Sequence, residues 1–202
     1  MARIIWTAVA VIVLIAAGGL AVIFSGVYYI GADRPHWAVT AWLLDNIRDR
    51  SIDEHADGIA VPPGLDDQAN VAEGAGHFAH HCVACHGAPG VRPGEMANGL
   101  YPRPPNLKEV VASESPAELF WVVKHGIKMS GMPAWAGQGD DVLWAMVAFM
   151  QKLPKMNPQD YQGLLAASRP KGGQPQEAGP GVGSQQPPPS RIEPRPAPAP
   201  RP

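Results

Sequence analysis

Twenty-seven consecutive residues, Ile4 to Ile30, carry no charged side chain. Such a run is out of place on the surface of a small domain in water. It also exceeds the ~20 residues a helix needs to cross the hydrocarbon of a bilayer. The run is rich in Ala, Val, Ile and Leu and closes on Tyr28 and Tyr29, whose apolar rings and wet hydroxyls suit a membrane interface. A secretory signal has an apolar stretch of only ~7–15 residues followed by a small-residue cleavage site. This run is longer, and no clear site follows it, so residues 4–30 are expected to be a retained single-pass anchor. Arg3 and the amino terminus favour a cytoplasmic N-terminus, a signal that Arg34 on the far side weakens.

The rest of the chain divides by composition. Of the 202 residues, 22 are Gly and 23 are Pro, together about 22% against an average of roughly 12%. That share argues against a continuous packed core. A net charge of −2 provides no basic patch for nucleic acid, and two cysteines cannot make a disulfide scaffold. Residues 157–202 are rich in Pro and poor in apolar side chains, so they are expected to be a disordered, Pro-rich tail. It would serve as a spacer or bind a proline-recognising partner.

Residues 31–65 hold Trp37, Trp42, Leu43, Leu44 and Ile47 among Asp45, Arg48, Asp49 and Arg50. They read as a juxtamembrane amphipathic helix opened by Pro35 and followed by a linker. The helix would lie on lipid, on a partner subunit or on the chain's own globular domain. Six acidic residues against three basic ones leave the segment at −3, which favours a protein partner over anionic lipid.

Residues 66–156 read as a small all-α domain. Asp66 or Asp67 can cap a helix with Val71, Ala75, Phe78 and Cys82 on one face. Ser115 and Glu118 form a capping box around Pro116, and Gly126 can stop that helix. Asp140 can cap a third helix carrying Val142, Met146, Phe149 and Leu153, ended by Pro154. No alternating strand pattern occurs, and turn-rich loops run from Gly87 to Asn106 and from Gly126 to Gly139.

Cys82-Val83-Ala84-Cys85-His86 has the spacing of a c-type haem attachment site. On one helical turn, two cysteines three apart share a face within reach of both haem vinyl groups, and the next residue turns its imidazole beneath the iron. A thioredoxin-like dithiol would want a strand before the motif, and none is visible. A zinc site needs four ligands; Cys82 and Cys85 with two of His77, His80, His81, His86 and His125 can be drawn, but with irregular spacing.

The opposite axial position has several candidates. Met146 and Met150 lie on a helix, where Met usually fills core. Met132 sits between Gly131, which permits close approach to a ring, and Pro133, which favours an extended backbone. Met132 is the expected ligand, Met129 the runner-up, and His125 or an open site the remaining choices. Tyr101 and Trp135 would line the haem edge or its propionates, or serve as ordinary packing aromatics.

The segment 66–156 resembles the class I cytochrome c domain, of the membrane-anchored bacterial kind. The matching residues are Gly74, Phe78, Cys82 to Gly87, Pro104-Pro105-Asn106-Leu107, Gly131 to Trp135, and Ala148 to Leu153. The resemblance implies first and last helices that cross with a small residue against an aromatic, Gly74 against Phe149. It also implies one covalent haem c attached outside the cytoplasm, which would put the domain in the periplasm of a bacterial inner membrane. The function it implies is one-electron transfer between ferric and ferrous iron with His86 and Met132 as axial ligands, and no catalytic residue. Expected partners are the bilayer, a quinol-oxidising complex or dehydrogenase as donor, and a terminal oxidase or reductase as acceptor. The domain's charge of −2 implies no strong steering patch, although Lys124 and Lys128 near the methionine loop could touch an acidic partner. Rival readings are a haem-based ligand sensor, a peroxidase (which in most examples uses two haems), and a permanent cytochrome subunit of a dehydrogenase or oxidase.

Overall fold

The computed structural model describes residues 1–168. Among them are nine α-helices and no strand, only an isolated bridge between Ala88 and Val91. Helix α1 (Ala2–Ser25) is 24 residues long, apolar apart from Arg3, Thr7 and Ser25, and exposed at every position. By length and composition it fits a membrane anchor or a signal sequence. Gly26 ends it in the left-handed conformation at φ 69°, where a Cβ would be strained.

The core is built where α3 (Gln68–His81) crosses α8 (Asp140–Met150). Apolar residues recur along α3 at Val71, Ala75 and Phe78, so one stripe is buried. Helix α8 is apolar on nearly every side, and all its residues from Ala145 to Met150 are buried. Phe78 and Phe149 meet with ring centroids 4.9 Å apart, both fully buried. Each stabilises the fold by about 1.5–3 kcal/mol through burial. Met146 and Met150 are core residues.

The crossing differs from the expected one. A Cβ on Gly74 would overlap the carbonyl of Ala145 and lie 3.0 Å from the Met146 amide nitrogen. Gly74 therefore meets the backbone of α8 one turn before Phe149, and Phe78 takes the aromatic. The small residue allows backbone contact, and backbone contact leaves no room there for a ring.

Helix α7 (Pro116–His125) begins with the expected capping box: the Glu118 amide donates to Ser115 Oγ at 3.3 Å and the Ser115 amide to Glu118 Oε2 at 2.6 Å. Its Phe120 stacks on Trp144 of α8 at 4.1 Å. Asp67 takes the cap position of α3 without a side-chain hydrogen bond. At α8 the cap position belongs to Gly139, and Asp140 is the first helical residue. Its carboxylate is drawn instead to Lys124 Nζ at 2.7 Å. Lys124, which also lies over the Phe120 ring, is thus engaged within the domain. Short helices α4 (Val83–His86), α5 (Glu95–Asn98) and α6 (Leu107–Ser113) fill the long loop region.

Two elements depart from the sequence reading. Residues 158–168 form helix α9 (Pro158–Ser168), where the sequence suggests disorder from residue 157. Asn157 Oδ1 accepts from the Asp160 amide at 2.9 Å, capping the helix, and Pro158 opens it. Tyr161 is buried against Phe149, with centroids 5.8 Å apart, and α9 packs on α3. A single large aromatic docked in the core outweighs the polar composition around it. The rest of the expected tail, residues 169–202, lies outside the described residues.

Helix α2 (Ala38–Ala56) starts three residues after Pro35. His36 and Trp37 are held in the linker by Tyr28 and Tyr101, so the helix begins only beyond them. Its last turns bury Ile52 and Ala56 and pack on α7, with His55 and Trp121 rings 5.5 Å apart.

Candidate functional site

Cys82 is the last turn of α3 and the start of α4 at once, with φ −109° and ψ −32°. The Cys85 and His86 amides both donate to its carbonyl, at 3.1 and 2.9 Å. The two thiols and the imidazole thus leave one helical turn. Gly87 then breaks the helix at φ 69°; a Cβ there would lie 2.7 Å from the Val91 carbonyl oxygen. Only glycine lets the chain fold back at once, and the Gly94 amide returns to the Ala84 carbonyl at 2.9 Å.

His86 Nδ1 lies 3.1 Å from the carbonyl oxygen of Pro105. A carbonyl only accepts, so Nδ1 carries the proton and Nε2 keeps its lone pair. That is the tautomer and the second contact that a metal-binding imidazole requires. Burial lowers the His86 pKa, which favours the neutral ring, and the Pro105 bond works against it to a smaller extent. Pro105 supplies this acceptor because it precedes the Asn106 cap of α6, whose side chain accepts from the Lys108 amide at 3.2 Å. The Pro-Pro-Asn-Leu run carries the signal, since a carbonyl just ahead of a cap has no partner inside the helix.

The Cys82 thiol lacks the lowered pKa of an exchange catalyst. Burial, and then the charge of Cys85, pushes the Cys82 thiol up to about 12, whereas reactive dithiols depend on a lowered value. Tyr161 of α9 is raised by burial and by Cys82, which places α9 beside the motif. Among the described residues no group of three His, Cys, Asp or Glu side chains stands together to hold a metal ion. His81 stacks with His77, meets His80 edge-on, and tilts onto Trp135 at 4.7 Å.

The methionine loop is clipped to the end of α7. The Ile127 amide donates to the Met132 carbonyl at 3.2 Å. Ser130 Oγ donates to the Ile127 carbonyl at 2.7 Å and accepts from the Met132 amide at 3.2 Å. The Trp135 amide reaches the Val123 and Lys124 carbonyls, and Gly126 lies so close beneath Pro133 that a Cβ would come within 2.6 Å of its carbonyl carbon. Leu100 from the opposite loop closes over Gly131. Met132 is half-buried and packs against the core. Met129, at φ 62° on the apex, is 74% exposed, and His125 is exposed beside Trp121. Met96 is exposed and Met156 buried. Tyr101 serves the linker: its hydroxyl accepts from the His36 amide at 3.1 Å. Ser130 and Leu100 escape a reading of the sequence because their roles depend on which loops meet.

Residues 69–150, which contain the Cys82–His86 turn and Met132, match the family model described as cytochrome c oxidase, cbb3-type, subunit III. The chain carries a class I c-type cytochrome domain. This cytochrome domain implies haem c and supports haem-based electron transfer. The residues fit that group: two thiols on one turn, and an imidazole whose Nδ1 is hydrogen-bonded to Pro105, which leaves Nε2 free. A relative in Pseudomonas aeruginosa, dihydro-heme d1 dehydrogenase, is 34% identical over 93 residues, covering 46% of this chain. The match spans only 17% of that relative's length. No solved structure matches the chain.

Proposed function

We propose that the chain is a membrane-anchored periplasmic electron carrier, bound by α1 to a bacterial inner membrane. One haem would be held by Cys82 and Cys85, with His86 and Met132 as axial ligands. The observation that carries this reading is the His86–Pro105 hydrogen bond, which fixes the imidazole tautomer and leaves one lone pair to bind iron. Haem bound there supplies an iron couple that accepts and returns one electron. The chain's part is to hold still. The Pro105 carbonyl orients His86, and the Ser130 and Ile127 bonds keep Met132 in place without needing the weak thioether bond to order the loop. The partial burial of Met132, against the exposure of Met129, supports Met132 as the sulfur donor. Axial Met raises the reduction potential.

The expected donor is a quinol-oxidising complex or dehydrogenase, and the acceptor a terminal oxidase or reductase. The family description and the relative's name also favour a permanent subunit of an oxidase or dehydrogenase. Gentle detergent purification separates a free carrier from a subunit. The ligand assignment is tested by Met132→Ala and Met129→Ala. The former should abolish the long-wavelength sulfur-to-iron band of the ferric protein and lower its potential; the latter should leave both unchanged. The opposite outcome would mean that Met129 is the ligand.

A further inference from the structure

Helix α2 has two apolar faces. The inner one packs on α7 through Ile52 and Ala56. The outer one runs along Val39, Trp42, Leu43 and Ile47, which are 49–66% exposed and recur at helical spacing, with Trp37, 46% exposed, just ahead of the helix. It occupies only the half of α2 nearest α1. From Asp49 to Asp57 the exposed positions are polar: Asp49, Arg50, Asp53, Glu54, His55 and Asp57.

The linker places that apolar half at the end of the membrane helix. Tyr28 lies three residues beyond α1, yet its ring is 4.9 Å from Trp37 and its hydroxyl 2.8 Å from His36 Nδ1. The chain between them folds back on itself, with Tyr29 Oη donating to Asp33 at 2.7 Å and the Arg34 guanidinium over the Tyr29 ring. Tyr28, Tyr29 and Trp37 thus gather just beyond the end of α1, and these are residue types enriched at a bilayer interface.

We infer that the first turns of α2, from Trp37 to Ile47, are immersed in the lipid headgroup–acyl boundary and rest there on apolar burial. This rests on the reading of α1 as a retained anchor. A helix bound wholly to one partner groove or lying flat on lipid would keep its apolar face along its length; here the exposed apolar face stops at Ile47. Anionic lipid has little to attract it. Arg48 is paired with Asp45 at 2.7 Å and Asp49 at 2.8 Å, and the segment is acidic. The other end of α2 is docked on α7, and the His36 amide is bound to Tyr101. Immersion would therefore hold the cytochrome domain at a set height and tilt, with the Tyr101–Pro105 loop tied to the membrane-proximal linker.

The test uses the full haem-bearing chain, whose two native cysteines are consumed by thioethers, in phosphatidylcholine nanodiscs. Single spin labels go on Val39→Cys, Leu43→Cys, Asp53→Cys and, within the anchor, Ile12→Cys. Labels at 39 and 43 should collide more with oxygen than with a water-soluble nickel chelate, and the label at 53 should show the reverse. Added phosphatidylglycerol or salt should not change this. If 39 and 43 behave like 53 while 12 stays oxygen-accessible, the anchor stands and the immersion is refuted. If 12 is also open to nickel, the anchor reading itself has failed. Labels at 39 and 43 that are open to nickel in nanodiscs but shielded from both reagents in native membranes would refute immersion in favour of a protein partner.

Discussion

Replacing Gly74 by alanine tests the helix crossing on which the cytochrome domain is built. The new methyl would lie 3.0 Å from the Met146 amide nitrogen and overlap the Ala145 carbonyl, where carbon contacts prefer ~3.5–4.0 Å. Backbone cannot rotate away, so α3 and α8 must part by ~1 Å or more. A gap of that size forfeits roughly half or more of each dispersion contact along the seam, including those around Phe78 and Phe149. Overpacking of this kind costs ~1–3 kcal/mol, and the rigid neighbour puts Gly74→Ala at the upper end. Alanine's better helix propensity returns ~0.5–1 kcal/mol, leaving a net loss of about 2 kcal/mol. For a domain of about a hundred residues that lowers the melting midpoint by roughly 10 °C. The assay is thermal unfolding of the ferric protein followed in the haem-region circular dichroism, with matched haem content. Gly163→Ala on α9, where a Cβ meets nothing within 4 Å among the described residues, is the control and should be neutral or stabilising. A Gly74→Ala protein as stable as the control would show that the α3–α8 crossing is not made by backbone contact.

Three further outcomes are expected. Cys82→Ala or Cys85→Ala should weaken covalent attachment, read as reduced haem staining on a denaturing gel; unchanged staining would refute the haem assignment. Ser130→Ala removes the hydroxyl that joins the Ile127 carbonyl to the Met132 amide, so added imidazole should displace the sulfur ligand at lower concentration, with no change expected for Ser113→Ala. The Glu114 carboxyl is held above the usual range by burial first, then by Glu118, Asp49 and Asp53. A raised carboxyl binds its proton in the folded chain before the unfolded one, so stability contributed by this group grows as pH falls through the folded value. Glu114→Gln should therefore stabilise the protein slightly at neutral pH, and denaturant titrations should show that advantage vanishing in acid.

Features written in short windows are legible in the amino-acid order itself. The capping box of Ser115 and Glu118, the arrest at Gly126, and the Cys82–His86 turn each depend on residues within one or two helical turns. Even helix α9, where the sequence suggests disorder, has a local signal in Asn157, Pro158 and Asp160; it is obscured when the window is averaged with the Pro-rich residues beyond it. The choice between Met129 and Met132 is partly legible through Pro133, which restrains Met132 alone.

What the amino-acid order alone determined is the cofactor chemistry and the division of the chain: an uncharged run long enough to cross a bilayer, and two thiols and an imidazole spaced for one helical turn. Tertiary structure alone decided which groups come together across the sequence. It set the Pro105 carbonyl against His86, the Ala145 backbone against Gly74, Tyr161 beside Cys82, and the linker's Tyr28 and His36 against Trp37 and Tyr101. The physical reason is range. Helical hydrogen bonds and caps are closed between residues a few positions apart, whereas packing and loop-to-loop bonds join residues whose separation the backbone pattern does not encode.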